Sequence, residues 1–351
     1  MWRRFRRHRV AHACLWIVVA LYVIGAFAEF FAPADPNATH ALMVYHPPQA
    51  IHWLARTSHG TVFGPYVYPE VLRRDPVTLA PRFVQDTKHR VALAFFVRGF
   101  AYRSIWGFRG NLHLFGPVNP HRHVFLLGAD RLGRDMLSRI IYGARISLSV
   151  GLVGVACSLV LGILFGGISG YFGGRIDWLV QRLIEFIISL PTIPVWLALA
   201  AALPKNWSPV ATYFMITVII SLVGWTQLAR VIRGRFLTLR GETYVTAALL
   251  DGCSRSRIIF RHMLPEMTSY IIASVTLAVP QMILAETALS FLGLGLQPPA
   301  ISWGTLLEEA QNVNALSAAP WLLLPGVAVA ITVLALNFLG DGLRDAADPH
   351  E

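Results

Sequence analysis

Six apolar runs, most near the ~20 residues that a helix needs to cross a bilayer, constrain this chain before any motif does. They are Ala13 to Ala28, Ile146 to roughly Phe172, Leu183 to Leu203, Pro209 to Ala229, Met267 to Leu292 and Pro320 to Leu339. With a mean hydropathy of +0.54 and only 14% charged residues, the chain reads as an all-α integral membrane protein with six transmembrane helices. The organisation this implies is a basic tail with the first helix over 1–32 and a long insert with an amphipathic helix over 33–145. A five-helix core follows over 146–340, containing a polar loop at 230–266, and a tail over 341–351.

Charge sets the expected topology. Arg3, Arg4, Arg6, Arg7 and Arg9 precede the first run, and no small-residue cleavage site follows it, so it reads as a retained span with its N-terminus in the cytoplasm. An even span count returns the C-terminus to the same side. The loop from Arg230 to Glu266, expected inside, carries seven arginines against Glu242, Asp251 and Glu266, whereas Gly293 to Ala319 holds Glu308 and Glu309 and no Lys or Arg. The insert is also arginine-rich although expected outside, which is permissible because long loops translocate largely regardless of charge. The net charge of +11 does not point to nucleic acid, since no basic-aromatic platform for stacking bases accompanies it.

Alternating stretches in the insert, such as Val91-Ala-Leu-Ala-Phe-Phe-Val97 and Thr61-Val-Phe-Gly-Pro-Tyr-Val67, predict short strands in a β or irregular cap. Cys14, Cys157 and Cys253 all lie outside it, so no disulfide holds it. Eight of the twelve histidines fall here, with His121 and His123 the one close pair. Two imidazoles without a partnering Cys or carboxylate are read as surface residues, and no metal site is assigned. Between Gly128 and Arg145, Leu132, Met136, Leu137, Ile140 and Ile141 share one helical face and Arg131, Arg134, Asp135 and Arg139 another, predicting an amphipathic helix at the membrane surface.

The polar loop carries the most information. Glu242 to Leu250 favours a short helix, Asp251-Gly252 a turn, and Ser254 can cap a second helix through Arg257-Ile-Ile-Phe-Arg-His-Met-Leu264, with Pro265 opening the next span. Small Ala247 and Ala248 allow close approach of another protein, with Ile258, Ile259 and Phe260 as apolar anchors. An ordinary interfacial loop has the same spacing. Within the spans, Gly162, Gly166 and Gly170 make a flat stripe for helix packing, Pro191, Pro194 and Pro280 are candidate kinks, and Glu286 is placed near the outer interface as a hydrogen-bonded anchor. Past the sixth run, Gly340-Asp341-Gly342 is expected to end the membrane helix, with one more turn over Leu343 to Ala347 and a stop at Asp348-Pro349.

Tyr244-Val-Thr-Ala-Ala-Leu-Leu-Asp-Gly252, followed by Leu264-Pro265, resembles the EAA loop of binding-protein-dependent ABC importers, with Thr246 in place of the leading acid. Three further blocks resemble the C-type subunit of dipeptide and oligopeptide permeases: Leu127 to Leu148; Glu286-Thr-Ala-Leu-Ser-Phe-Leu-Gly-Leu-Gly295 with Ser302-Trp-Gly304; and Asn337 to Pro349. That resemblance implies the type I permease fold and a loop that docks an ATPase through Tyr244, Thr246, Ala247, Ala248, Gly252, Ile258, Ile259, Phe260, Arg261, Leu264 and Pro265. It implies as partners a second, homologous permease, two cytoplasmic ATPase subunits and an external substrate-binding protein. No phosphate-binding loop, nucleophile elbow or zinc-protease motif is present, so the chain is expected to bind no cofactor, with ATP and Mg on the partner. Nickel or oligosaccharide cargo stays open as an alternative to peptides. An autonomous secondary transporter would need paired ionisable residues at the midplane, which the spans do not offer.

Overall fold

The computed structural model describes residue 5 and residues 8–57, 60–74, 81–204 and 206–347. Arg3, Arg4, Arg6, Arg7 and the Asp348-Pro349 stop lie outside the described residues. The chain divides into two compact units. One comprises Met1–Val19, Ser147–Pro299 and Val329–Glu351, the other Ala20–Ile146 and Ala300–Ala328.

The helices include α1 (Arg9–Ala26), α2 (Met136–Phe172), α3 (Gly174–Ser189), α4 (Thr192–Ala201), α5 (Pro209–Leu239), α6 (Thr243–Leu250), α7 (Thr268–Phe291) and α8 (Leu324–Ala347). Among the described residues, five stretches are long and apolar enough to cross a membrane, and α3 with α4 makes a sixth candidate bent by 85°. The third apolar run is therefore not one straight span. Pro191 forces Leu190 out of helical geometry, to φ −82° and ψ 137°. Pro194 falls in the first turn of α4, where its missing N–H costs nothing. Pro280 sits inside an unbroken α7.

In the first unit, glycine lets helices meet at backbone distance. A Cβ at Gly166 would lie 2.5 Å from the Ala229 carbonyl oxygen, and one at Gly170 2.8 Å from that of Arg233. The predicted stripe is thus the seam between α2 and α5. Ser221 reinforces it by donating to the Gly154 carbonyl at 3.0 Å. Val180 and Ile184 of α3 pack onto Trp225 and Ala229 of α5. Ser208 caps α5, accepting from the Ala211 amide at 3.2 Å just ahead of Pro209. Helix α8 does not end at Gly340-Asp341-Gly342. Those glycines lie inside it, where a Cβ would run into Leu277 and Ala11 respectively, so closeness of neighbours, not helix termination, explains them.

In the second unit, β1 (His52–Thr57), β2 (Gly60–Val67), β5 (Val91–Arg103) and β6 (Arg109–Pro117) form an antiparallel sheet in the order β1-β2-β5-β6. Strands β3 (Glu70–Arg74) and β4 (Pro81–Gln85) make a separate hairpin. Val67, Val91, Leu93 and Val124 form the sheet's small core.

Of the expected amphipathic helix between Gly128 and Arg145, Met136 onward is helical as the start of α2, whereas Gly128 to Asp135 form a tight knot ahead of it. Gly128 (φ +80°) and Gly133 (φ +69°) adopt left-handed backbone that helix cannot contain. Asp130 is the hub. Its Oδ1 accepts from the amides of Leu132 (2.9 Å) and Arg134 (3.0 Å), and its Oδ2 receives Arg134 Nε at 2.7 Å and faces Arg139 Nε at 3.5 Å. Asp135 caps α2, accepting from the Ser138 amide at 2.8 Å and hydroxyl at 2.6 Å. Arg145 clamps Glu29 through both guanidinium NH groups at 2.8 and 2.6 Å and donates to Gly25 O at 2.9 Å. Trp303 Nε1 donates to Ile140 O at 3.0 Å and Trp321 Nε1 to Ala129 O at 2.9 Å. Two blocks far apart in sequence, Leu127–Leu148 and Ser302–Gly304, are thus one piece of structure.

Candidate functional site

The loop between α5 and α7 folds as two short helical elements on a shared apolar base. Helix α6 starts at Thr243, with Glu242 extended ahead of it, and ends where Gly252 turns left-handed at φ +73°. Ser254 occupies the N-cap position of the second element, but its hydroxyl makes no capping bond and faces Ser256 Oγ at 3.4 Å. That element is a wide turn. The Leu264 amide bonds back five residues to Ile259 O at 2.9 Å, which makes room for the Pro265 ring where a regular helix would clash. From Arg255 the chain then runs into α7 as a 37-residue helical stretch.

Val245, Ala248, Ile258, Ile259, Met263 and Met267 bury themselves against Ile232 and Phe236 of α5. Two cations ride over aromatic rings of the spans, Arg255 over Phe172 at 5.5 Å and Arg235 over Tyr270 at 5.7 Å. The element therefore shares its core with the membrane helices.

This packing sorts the eleven residues singled out from sequence. Tyr244, Thr246, Ala247, Gly252, Phe260, Arg261 and Pro265 are exposed, Leu264 is half-buried, and Ala248, Ile258 and Ile259 are buried. Ile258 and Ile259, expected as outward anchors, instead hold the loop to α5. Thr246 spends its hydroxyl on Glu242 O at 3.3 Å. The Tyr244 hydroxyl is held above its ordinary pKa by burial, then by the charges of Glu266 and Glu242. The outward apolar residues are Leu249 (55% exposed), Leu250 (82%) and Phe260 (59%), and Arg255, Arg257 and Arg261 of the same loop are exposed as well. Leu249 and Leu250 were missed because apolar residues in a predicted helix read as its packed face; a 3.6-residue period turns Leu250 away from buried Val245 and Ala248 but leaves Leu249, four residues past Val245, beside them.

Elsewhere, Glu286 of α7 is fully buried and accepts from Ser290 Oγ at 2.8 Å and Ser147 Oγ at 3.3 Å. His123 does not pair with His121 but packs at a tilt against His40 with ring centroids 3.9 Å apart, and burial lowers the pKa of both rings. Among the described residues no three His, Cys, Asp or Glu side chains converge as a metal site would require.

Several membrane-length helices joined by a helical loop define a multi-span membrane protein. Comparison with known proteins specifies which: residues 162–350 match the model of the binding-protein-dependent transport system inner membrane component, and residues 1–48 that of the N-terminal transmembrane domain of oligopeptide transport permease C. The chain belongs to this permease family, in its C-type branch. It is 38% identical over 242 residues to the oligopeptide transport system permease OppC of Haemophilus influenzae, covering 69% of this chain and 75% of the relative. It is 40% identical over 223 residues to the dipeptide permease DppC of Bacillus subtilis, covering 63% and 68%. The MetNI methionine ABC transporter, solved in inward-facing conformations, superposes at TM-score 0.46 with 15% identity over 61% of this chain and 98% of that one.

Proposed function

We propose that this permease forms one half of the pore of an ATP-driven peptide importer in the inner membrane, with both termini and the α5–α7 loop in the cytoplasm. The carrying observation is the loop itself: three exposed apolar side chains, in a segment that also carries exposed Arg255, Arg257 and Arg261, mounted on a core continuous with α5 and α7. ATP and Mg are held by a separate ATPase pair, which grips Leu249, Leu250 and Phe260. Closure of that pair draws the loops of this chain and a homologous second permease together and turns the cavity outward, toward an external binding protein; hydrolysis resets it. Peptide cargo is supported by the names of relatives 38 to 42% identical.

Removing the two leucines tests the docking. Burying one leucine at an interface is worth about 1.5–3 kcal/mol, so Leu249→Ser with Leu250→Ser should reduce co-purifying ATPase about tenfold or more while the permease stays folded in detergent. Undiminished co-purification and ATPase activity in that variant would overturn the docking face. Uptake of labelled peptides, sugars and Ni²⁺ by the assembled transporter decides the cargo, and flux without nucleotide would remove the ATPase from the scheme.

A further inference from the structure

The hairpin of β5 and β6 ends in a turn that is strongly apolar for an exposed loop. The Gly107 amide donates to Ser104 O at 2.9 Å and the Ser104 amide to Phe108 O at 2.8 Å, with Gly107 at φ +86°. This tight turn throws Ile105, Trp106 and Phe108 outward, 58, 62 and 74% exposed. Isolated exposed apolar residues need no explanation, but three in one four-residue span do.

The tip lies beside the end of a membrane helix. Phe27 and Phe30, just past the last residue of α1, line an open groove of about 440 Å³ together with Tyr102, Trp106, Phe108 and Arg109. Phe96 joins this surface from left-handed backbone (φ +56°), a conformation that costs a bulky residue roughly 1–3 kcal/mol. Its ring lies 6.3 Å from that of Phe30 and is 63% exposed. Val23 and Phe27, one turn apart on the helix, continue the exposed apolar line toward the bilayer.

Charge adds an independent observation. No Asp or Glu occurs between Val91 and Ala129, whereas Arg98, Arg103 and Arg109 occupy the hairpin, all exposed. Arg103 and Arg109 are cross-strand partners directly opposite each other at the strand ends. Like charges facing across a ladder destabilise it, unless an anion sits between them. Aromatic side chains below a pair of arginines, level with the end of a spanning helix, match the order of acyl boundary and phosphate in a phospholipid leaflet.

We infer that the β5–β6 hairpin is a membrane-interface anchor. Ile105, Trp106 and Phe108 enter the leaflet beside the end of α1, and Arg103 with Arg109 receives the phosphate of an anionic phospholipid. The inference goes beyond transport and does not depend on which side of the membrane the hairpin occupies, because either end of α1 meets a leaflet.

The test uses the full chain in nanodiscs of phosphatidylcholine brominated near the head of its acyl chains, with and without phosphatidylglycerol. The difference in emission between the native chain and Trp106→Phe isolates Trp106. It should be quenched by brominated lipid and shielded from aqueous acrylamide, and the quenching should rise with phosphatidylglycerol; Arg103→Gln with Arg109→Gln should abolish that rise. In the assembled transporter, Phe108→p-benzoylphenylalanine should photo-cross-link mainly to phospholipid. A Trp106 component quenched by acrylamide and untouched by brominated lipid, or cross-links chiefly to a binding protein or second permease, overturns the proposal. All three variants alter only exposed residues at the hairpin end, and recovery of the folded, monodisperse protein is checked alongside.

Discussion

Gly166 and Gly167 are neighbours on α2 with opposite surroundings, and replacing each by alanine makes a paired experiment. At Gly166 the new Cβ would sit 2.5 Å from Ala229 O, 2.9 Å from Ala229 Cα and 3.0 Å from Ile232 Cβ. Ordinary contact begins near 3.4 Å, so α2 and α5 must separate by the better part of an ångström. The obstruction is mostly backbone, which no rotamer change relieves. A radial gap of that size forfeits about a quarter to a half of the dispersion energy of the contacts it opens, and in a bilayer such packing is a main force holding helices together. Overpacking of this kind costs about 1–3 kcal/mol. At Gly167 the nearest atom is Phe236 Cε1 at 3.6 Å, an ordinary contact, and alanine gains up to about 1 kcal/mol of helix propensity. Gly166→Ala should therefore unfold at lower temperature than the native transporter in the same detergent, and Gly167→Ala at equal or higher temperature. Their separation should be about 2 kcal/mol or more. Equal shifts for the two variants would refute the claim that this stripe is a backbone-to-backbone seam.

Asp135 makes a pH prediction. Burial pushes its carboxyl up to about 6, against the bonds from Ser138 that favour the ionised form, and its Oδ1 is buried without a hydrogen-bond partner. The folded chain then binds more protons than the unfolded one between about pH 4 and 6. Stability should fall as pH rises through that window, by up to about 3 kcal/mol, and level off above it. Asp135→Asn should flatten this slope in thermal unfolding measured across pH; an unchanged slope would exclude Asp135 as its source. Asp177 in the first turn of α3 accepts from Nε and, at 2.6 Å, from Nη2 of Arg233 of α5, with side chains 16 and 30% exposed. Asp177→Asn should cost about 1–2 kcal/mol after allowance for solvent screening, while Arg182→Gln, at the exposed pair with Glu185, should cost well under 1 kcal/mol; melting temperatures of the two variants check this.

What the sequence disclosed follows the range of the interactions involved. Helix α6, the turn at Gly252 and the glycine stripe were legible because each rests on residues within about two turns of one another. The break at Leu190 was legible too, since a proline restricts the residue before it, but the apolar run masked it. Residues Gly128 to Asp135 were misread because their periodicity suits a helix, while contacts that settle them come from Glu309 and Trp321, far off in sequence. The tell-tale was Asp130 followed by Gly133, a turn signature. The pairing of β5 with β6 and the side of α6 that faces outward were likewise decided by partners at a distance.

The two halves of the α5–α7 loop differ in stiffness. Helix α6 lies between Gly241 and Gly252, whereas no glycine occurs from Cys253 to Phe291 and the wide turn at Leu264 carries the helix past its proline unbroken. A load applied at Phe260 is thus delivered along a single strut to the far end of α7, while one applied at Leu250 passes through the side chains of Val245 and Ala248. A motor seated on this loop would hold a lever with one articulated pad and one welded arm.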